Sequence, residues 1–278
     1  VVIAAGLYIV SLFNYLLFHS LVELFALVIA FGIFMIAWNS RKFIDSNYFL
    51  FLGISCFFVG VFDVGHTLAY KGMDIFPGAG TNLATQLWIA GRYLQGVSLF
   101  GAPFFIPRRL KPASIFLVYL IVSAVLMVLI FGGMFPVSFV ENVGLTRFKI
   151  VSEYIVIILL VLSVLLLLRH RARFDRKVLR FIVGSILCVA LSEMALTLYV
   201  DVYGVWNLVG HYLKLASYYL LYRAVIKTGL KEPYSVILHD LKQSEEELLA
   251  AKNRAETYLN IAGTLFVVID RSEKILLI

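Results

Sequence analysis

Long apolar segments separated by short polar ones fill most of the chain. A helix needs about 20 mainly apolar residues to cross about 30 Å of hydrocarbon, and eight stretches of the sequence have this character. The pattern predicts an all-α integral membrane protein, a bundle of about eight transmembrane helices. The predicted spans lie near residues 1–17, 20–39, 48–69, 82–105, 113–133, 150–168, 178–200 and 208–226. A single long helix in place of the first two would reduce the count to seven.

A different pattern begins after residue 230, where charged residues become frequent. Apolar and small residues then recur in steps of four and three, which is the heptad seam of a coiled coil. This predicts a cytoplasmic signalling helix over residues 231–258 that pairs in a homodimer, with a monomeric amphipathic linker as the alternative. The seam positions are Ile237, Leu241, Ser244, Leu248, Ala251, Ala255 and Tyr258.

The last segment, residues 259–278, contains two strand-like apolar runs around an Asp-containing turn. This order, at the end of a coiled linker, resembles the beginning of a PAS domain. So short a segment cannot bury a core of its own, so we predict a truncated PAS-like β start. The predicted organisation is a transmembrane domain over 1–230, a signalling helix over 231–258 and the PAS start over 259–278.

Composition agrees with the membrane assignment. Hydrophobic residues make up 62% of the chain, charged residues 15%, and the mean hydropathy is +0.94, whereas a soluble domain has roughly 45–50% apolar residues. The excess apolar surface must face a lipid bilayer. The net charge of +7 comes from short basic clusters between the spans, which indicates membrane orientation and no nucleic-acid partner.

Lys and Arg accumulate in every second connection between the predicted spans. Cytoplasmic loops carry an excess of these residues, so we predict a multi-pass protein of the inner (cytoplasmic) membrane with both termini in the cytoplasm. The basic connections contain Arg41, Lys42, Arg108, Arg109, Lys111, Arg169, Arg171, Arg173, Arg176, Lys177, Lys227 and Lys231, and the opposite loops contain Lys71, Arg147 and Lys149.

Ionisable residues inside the predicted spans form the candidate site, because such groups are costly in lipid and mark function by default. Three pairs are spaced three or four residues apart, so each pair shares one helical face that should turn toward the bundle interior. All lie in the outer third of the bilayer, which predicts one polar pocket near the extracytoplasmic surface. The ligand- or metal-binding candidates are His19, Glu23, Asp63, His66, Glu193 and His211, with Lys214, Arg92, Asn82 and Gln86 as supporting polar residues.

Several ligands suit this set of side chains. Imidazole and carboxylate groups bind divalent transition metals, two of the histidines suit a haem, and Lys214 with Arg92 suits an anionic ligand. The structural alternative is a set of buried hydrogen bonds and ion pairs, such as Arg92 with Glu193. No catalytic residue is predicted, because the sequence contains no catalytic motif.

Other conspicuous residues are predicted to be structural. Cys56 and Cys188 lie singly in apolar runs, which is typical of buried packing. Trp88 and Trp206 suit the aromatic belt at the membrane interface. The glycine-rich loop over residues 71–81 either caps the pocket or is an ordinary connector.

Three strings carry a family resemblance: NYLLFHSLVE at residues 14–23, FDVGHTLAYKGM at 62–73, and NLATQLWIA at 82–90 followed by Arg92 and Tyr93. Together they resemble the membrane-associated sensor domain of the third type, over roughly residues 1–230. That family precedes PAS domains, histidine kinases and diguanylate cyclases, so the resemblance implies a signal-input role. Gln95 stands where the resemblance implies an acidic residue, and it is left out of the predicted site.

These observations predict the sensory input module of a signal-transduction protein, either a histidine kinase of a two-component system or a diguanylate cyclase. A signal bound in the outer polar pocket would pass through the last span to a cytoplasmic output domain in the same chain. The alternative is a small transporter or channel with charged residues along its pathway. Transporters tend to show internal repeats and helices broken at mid-depth, whereas the prolines here lie at span ends.

Overall fold

The structure, a computed structural model, consists almost entirely of helices. It describes residues 2–42, 47–78, 80–108, 110–198, 204–226, 232–261, 268–269 and 275–277. Internal packing divides the chain into two units, Val1–Leu230 and Lys231–Ile278. Each unit is described by itself.

The first unit contains eight helices among its described residues. They are α1 (Val2–Phe13), α2 (Tyr15–Asn39), α3 (Asn47–Leu68), α4 (Gly80–Gly101), α5 (Pro112–Phe131), α6 (Arg147–Arg169), α7 (Arg176–Thr197) and α8 (Val205–Ile226). Short 3-10 turns follow α2, α4 and α6 at Ser40–Lys42, Ala102–Phe105 and Arg171–Arg173. Between α5 and α6, β1 (Phe139–Val140) and β2 (Gly144–Leu145) form a small antiparallel hairpin.

The first predicted span is shorter than expected. Asn14 has an extended backbone, with φ −151° and ψ 100°, and its side chain accepts a hydrogen bond from the backbone N–H of Leu17. It therefore caps α2 and separates it from α1, which ends at Phe13 and has only 12 residues. A helix of that length rises about 18 Å, too little to cross the hydrocarbon core.

Among the residues that the structure describes, five helices are long and apolar enough to cross a membrane by length and composition: α2, α3, α5, α6 and α7. Helices α4 and α8 each have the length, 22 residues, but they are more polar and fall outside this set. A multi-pass membrane fold is therefore confirmed. The count of eight spans stays a prediction.

Six helices pack in a closed order around a common interior. Helix α2 packs on α3, α3 on α4, α4 on α6, α6 on α7, α7 on α8, and α8 returns to α2. Helix α5 packs outside this ring against α3 and α4, and α1 packs on α2. Large apolar side chains of α5, such as Leu117, Ile121 and Val125, are more than half exposed, as expected for a surface that faces lipid.

Small residues bring the ring helices close together. A Cβ atom at Gly53 of α3 would lie 2.3 Å from the Cβ atom of Ala37 on α2. At Gly210 of α8, a Cβ atom would lie 2.7 Å from the Leu196 side chain on α7. Such close approach of helix backbones is typical of membrane bundles, and it brings α3 close to α2 and α8 close to α7.

Contacts between connections define the two ends of the bundle. At one end, the Leu110 N–H donates to the Asn47 side chain over 3.4 Å. At the other end, the Thr81 N–H donates to Glu141 Oε1 over 3.0 Å and the Asn207 amide donates to the Tyr70 hydroxyl over 3.1 Å. Two of the connections predicted to be cytoplasmic, those after α2 and α4, meet at the first end, although their side of the membrane stays a prediction. Arg109, Lys227 and Lys231 lie outside the described residues.

The second unit begins with a long helix, α9 (Glu232–Ile261), followed by β3 (Val268–Ile269) and β4 (Ile275–Leu277), which pair antiparallel. The predicted seam residues Leu248 and Tyr258 of α9 are 72% and 69% exposed. A helix is thus confirmed here, while the coiled-coil dimer stays a prediction. The PAS start is also not shown, and residues 262–267 and 270–274, which belong to it, lie outside the described residues.

Candidate functional site

A cluster of buried polar side chains lies inside the ring, toward the end that carries the hairpin. Helix α2 contributes His19 and Glu23, which are one turn apart, and α3 contributes Asp63 and His66 in the same way. Helix α8 adds the third pair, His211 and Lys214. Each of the six residues is at most 6% exposed. The predicted sharing of helical faces is therefore seen in all three pairs.

Three imidazoles and one carboxylate converge within this cluster. The Nε2 atoms of His19 and His66 are 3.3 Å apart, and Nε2 of His211 lies 3.4 Å from Oε1 of Glu23. Potential ligand atoms of His19, Glu23, His66 and His211 all lie within 4.8 Å of one another. Tyr70 stacks on the ring of His19 with 3.6 Å between ring centroids, which fixes the plane of that imidazole.

Backbone carbonyl groups orient two of the imidazoles. Nδ1 of His66 donates to the carbonyl oxygen of Ala84 over 2.9 Å, and Nδ1 of His211 donates to that of Asn207 over 2.8 Å. A carbonyl oxygen only accepts, so in the neutral rings the proton is on Nδ1 and the lone pair is on Nε2. Both lone pairs then face the interior of the cluster.

Four charged groups in the same cluster balance one another. Lys214 Nζ lies 2.6 Å from Glu23 Oε2 and 3.2 Å from Asp63 Oδ2, so it links α8 to both α2 and α3. Arg92 on α4 donates from Nη2 to Asp63 Oδ1 over 2.6 Å. Two cations thus face two carboxylates, which is the arrangement that makes buried charges tolerable.

Asp63 is the most connected acid of the cluster, since the Tyr218 hydroxyl also lies 3.3 Å from its Oδ2. Arg92 in turn donates from Nη1 to Oε1 of Gln95 over 2.6 Å. Gln95 was excluded from the predicted site, yet it contacts a cluster residue. Tyr218 was missed, although it lies one turn beyond Lys214 on the inward face of α8.

Trp88 lies among these cations and not in an interfacial belt, contrary to the prediction. It is 5% exposed, with Arg92 Cζ 4.5 Å and Lys214 Nζ 4.6 Å from its ring. Cation–π contacts of this length stabilise cations that have lost their water. Trp206, by contrast, is 50% exposed, which suits the predicted belt.

Glu193 belongs to a neighbouring group and not to the histidine cluster. Its carboxyl lies against that of Glu153, and Lys149 Nζ donates to the Glu153 carboxylate and, over 3.2 Å, to the carbonyl oxygen of Leu196. The ion pair between Arg92 and Glu193 that was considered as a structural alternative is not formed. Arg92 pairs with Asp63 instead. Lys149 was predicted to lie in a loop, but it is 1% exposed in the first turns of α6.

A cavity of about 30 Å³ separates the two polar groups, with His66, His211 and Lys149 among its lining residues. That volume is close to one water molecule. Thr81, at the end of the loop predicted as a possible cap, also lines it. The cavity therefore lies directly beside the imidazoles of His66 and His211.

Asn82 and Gln86 point to the connection between α5 and α6. The Asn82 side-chain oxygen accepts hydrogen bonds from the backbone N–H groups of Ser138 and Phe139 over 2.8 and 3.0 Å, and the Gln86 amide donates to the carbonyl oxygens of Phe135 and Pro136. Both hold that connection on α4 and do not line the cavity described above. Hydrogen bonds from Thr81 likewise hold the pKa of the Glu141 carboxyl below its ordinary value.

Some buried polar atoms have no hydrogen-bond partner within the described part of the chain. They include His19 Nδ1, Glu23 Oε1 and His211 Nε2. A buried unsatisfied polar atom costs about 1–3 kcal/mol, so a cluster with three of them is not optimised for stability. A bound ion or water molecule in the cluster would satisfy such atoms.

Comparison with known proteins agrees with this picture. Residues 10–233 match the model of the MASE3 family, a membrane-associated sensor domain, which is close to the predicted extent of the resemblance. No curated protein and no solved structure matches the chain. The matched region contains all eight helices of the first unit except the first part of α1, and every residue of the polar cluster. The chain therefore belongs to the MASE3 family of membrane-associated sensor domains and has a sensory input role.

Proposed function

We propose that this sensor domain detects its signal at the buried cluster and passes it through α8 to a cytoplasmic output. The output would be a histidine kinase or a diguanylate cyclase in the same protein. The observation that carries the proposal is the position of Lys214, which contacts Glu23 on α2 and Asp63 on α3. A ligand that alters these contacts changes how α8 is held, and α8 is the last helix before α9 in the chain.

The pairing of the buried charges favours a binding site over a transport pathway. In the residues that the structure describes, Lys214 and Arg92 are both paired with carboxylates, and the adjoining cavity has room for about one water molecule. Charges along a transport pathway would instead face a larger water-filled space. A small transporter or channel is therefore the weaker assignment.

Orientation and assembly complete the proposal. The alternation of basic connections supports an orientation with both termini on the cytoplasmic side of the inner membrane and with the cluster in the outer part of the bilayer. The exposed seam residues Leu248 and Tyr258 would pair with a second copy of α9 as a coiled coil. A parallel pair of helices would carry a change in α8 to two output domains at once.

The substitution Lys214→Met tests transmission without knowledge of the ligand. Loss of the ammonium group releases α8 from α2 and α3, so we expect amide hydrogen exchange in α8 to become roughly tenfold faster and exchange in α9 to change with it. The measurement is hydrogen exchange of the full chain in lipid nanodiscs.

Lys177→Met is the matched control, because Lys177 is exposed at the start of α7. Its exchange in α8 and α9 should equal that of the wild type. If Lys214→Met loosened α8 while α9 exchanged as in the wild type, the proposed transmission through α8 would be wrong.

A further inference from the structure

We propose that His19, Glu23, His66 and His211 bind a divalent transition metal ion, and that this ion competes with Lys214 for the Glu23 carboxylate. The inference rests on the proposed function, because it names the chemical class of the signal. It also assigns a separate role to each of the two Glu23 oxygens, one toward the ion and one toward the ammonium group.

The spacing of the ligand atoms suits one small ion. A tetrahedral site with metal–ligand bonds of about 2.1 Å separates neighbouring ligand atoms by roughly 3.4 Å. The distance between Nε2 of His19 and Nε2 of His66 is 3.3 Å, and that between Nε2 of His211 and Oε1 of Glu23 is 3.4 Å. Since all four ligand atoms lie within 4.8 Å of one another, only a small inward movement completes the set.

The imidazoles are also oriented as metal ligands are. A ligating histidine usually donates its second ring N–H to a carbonyl or carboxylate, which sets the tautomer and the direction of the lone pair. His66 and His211 do this through the carbonyl groups of Ala84 and Asn207. Both Nε2 atoms then offer lone pairs to the same interior point.

Two of the atoms that would bind the ion have no other partner. Glu23 Oε1 and His211 Nε2 are buried 3.4 Å from each other, and neither has a hydrogen bond to a third described residue. A cation between them would satisfy both at once.

The donor set selects the class of ion. Three imidazoles and one carboxylate suit Zn²⁺, Fe²⁺, Co²⁺ and related first-row ions, whereas Ca²⁺ and Mg²⁺ prefer oxygen ligands. Neither Cys56 nor Cys188 belongs to the group of ligand atoms, so a thiolate site for Cu(I) is not favoured. The adjoining cavity leaves room for a water ligand in addition.

A haem and an anion fit less well. The His19 ring centroid is 5.4 Å from that of His66 and 4.7 Å from that of His211, which leaves no slot for a macrocycle, and the adjoining cavity has only about 30 Å³. An anion would need free cations, but Lys214 is already bound to Glu23.

Lys214 connects metal binding to α8. Its Nζ lies 2.6 Å from Glu23 Oε2, so an ion on the Oε1 side would repel it across a single carboxylate in a region of low dielectric constant. His211 and Lys214 lie three residues apart on one face of α8. The ion would attract the first and displace the second, which shifts this helix against α2 and α3.

The test is Zn²⁺ binding to the full chain in lipid nanodiscs, after removal of metals with a chelator and against a competing chelator. We expect one Zn²⁺ per chain in the wild type. His66→Gln and His211→Gln should weaken binding at least 100-fold, because each removes a ligand. His170→Gln is the matched control, since His170 caps the end of α6 outside the cluster, and its affinity should equal that of the wild type.

Lys214→Met should have the opposite effect on the Zn²⁺ affinity. This effect is not expected if Lys214 and Glu23 form only a structural ion pair. Removal of the competing cation should raise the Zn²⁺ affinity about tenfold or more, while Lys177→Met leaves it unchanged. Co²⁺ bound to the wild type should show the strong visible absorption of a four-coordinate site, a readout that does not depend on any variant folding. Absence of stoichiometric binding in the wild type, or binding that is unchanged in both histidine variants, would overturn the metal site.

The two proposals can fail separately. If the wild type binds no metal but Lys214→Met still alters hydrogen exchange in α9, the metal inference is wrong and the sensor mechanism stands. If Zn²⁺ binds as expected and leaves exchange in α9 unchanged, the metal site stands and the transmission is wrong.

Discussion

Asp63→Asn is expected to lower the free energy of unfolding by about 3–5 kcal/mol. The substitution keeps the size of the side chain but removes the charge that faces Arg92 at 2.6 Å and Lys214 at 3.2 Å. Arg92 then loses the carboxylate that it contacts, while Lys214 keeps Glu23. Removal of one partner from a buried ion pair is strongly destabilising because the remaining charge has neither water nor a counter-charge. Unfolding in denaturing detergent measures the effect.

Asp74→Asn is the matched control for this change. Asp74 is exposed and has a left-handed backbone with φ 53°, a conformation that asparagine also adopts readily. Its effect should stay within about 0.5 kcal/mol. An Asp63→Asn protein as stable as the Asp74→Asn protein would show that Asp63 does not hold the two cations.

Lys149→Met is expected to destabilise the protein by a similar amount, about 3–5 kcal/mol. Lys149 is the cation beside the carboxyl groups of Glu153 and Glu193. Methionine fills most of the space but leaves the buried Glu153 carboxylate without the ammonium group that contacts it. The measurement is again the free energy of unfolding in denaturing detergent.

Two comparisons isolate the cause. Lys177→Met makes the same substitution at an exposed position of α7 and should change the stability by less than about 0.5 kcal/mol. Adding Glu153→Gln to Lys149→Met should restore part of the loss, because it removes the acid that has lost its partner. Equal stability of Lys149→Met and Lys177→Met would contradict the burial of this ion pair.

The sequence was most informative where spacing alone decides the result. Residues three or four apart share a face of a helix wherever the helix packs, so the pairs on α2, α3 and α8 were recognisable before the neighbours of each helix were known. The apolar segments likewise predicted the helices to within a few residues. The main exception is the first span, which Asn14 ends early by capping α2.

Partners across helices were not predictable in the same way. Arg92 was paired with Glu193 as one alternative, but the ring order places Asp63 of α3 directly beside it. Lys149 was predicted to lie in a loop because the apolar run begins after it. Its i,i+4 spacing from Glu153 could have indicated that it lies in a helix and pairs with that acid. Trp88 was assigned to the interfacial belt from its residue type alone. Its contacts with Arg92 of α4 and Lys214 of α8 depend on how the helices pack, which the sequence does not show.

The most direct test of a common site for α2, α3 and α8 is a double-mutant cycle between Glu23 and Lys214. These residues are 191 positions apart in the chain, yet their charged atoms are 2.6 Å apart. For Glu23→Gln, Lys214→Met and the combined variant, we expect a coupling energy of about 2–3 kcal/mol in the free energy of unfolding. Effects that add to within about 0.5 kcal/mol would mean that the two side chains do not meet, and the buried site would be contradicted.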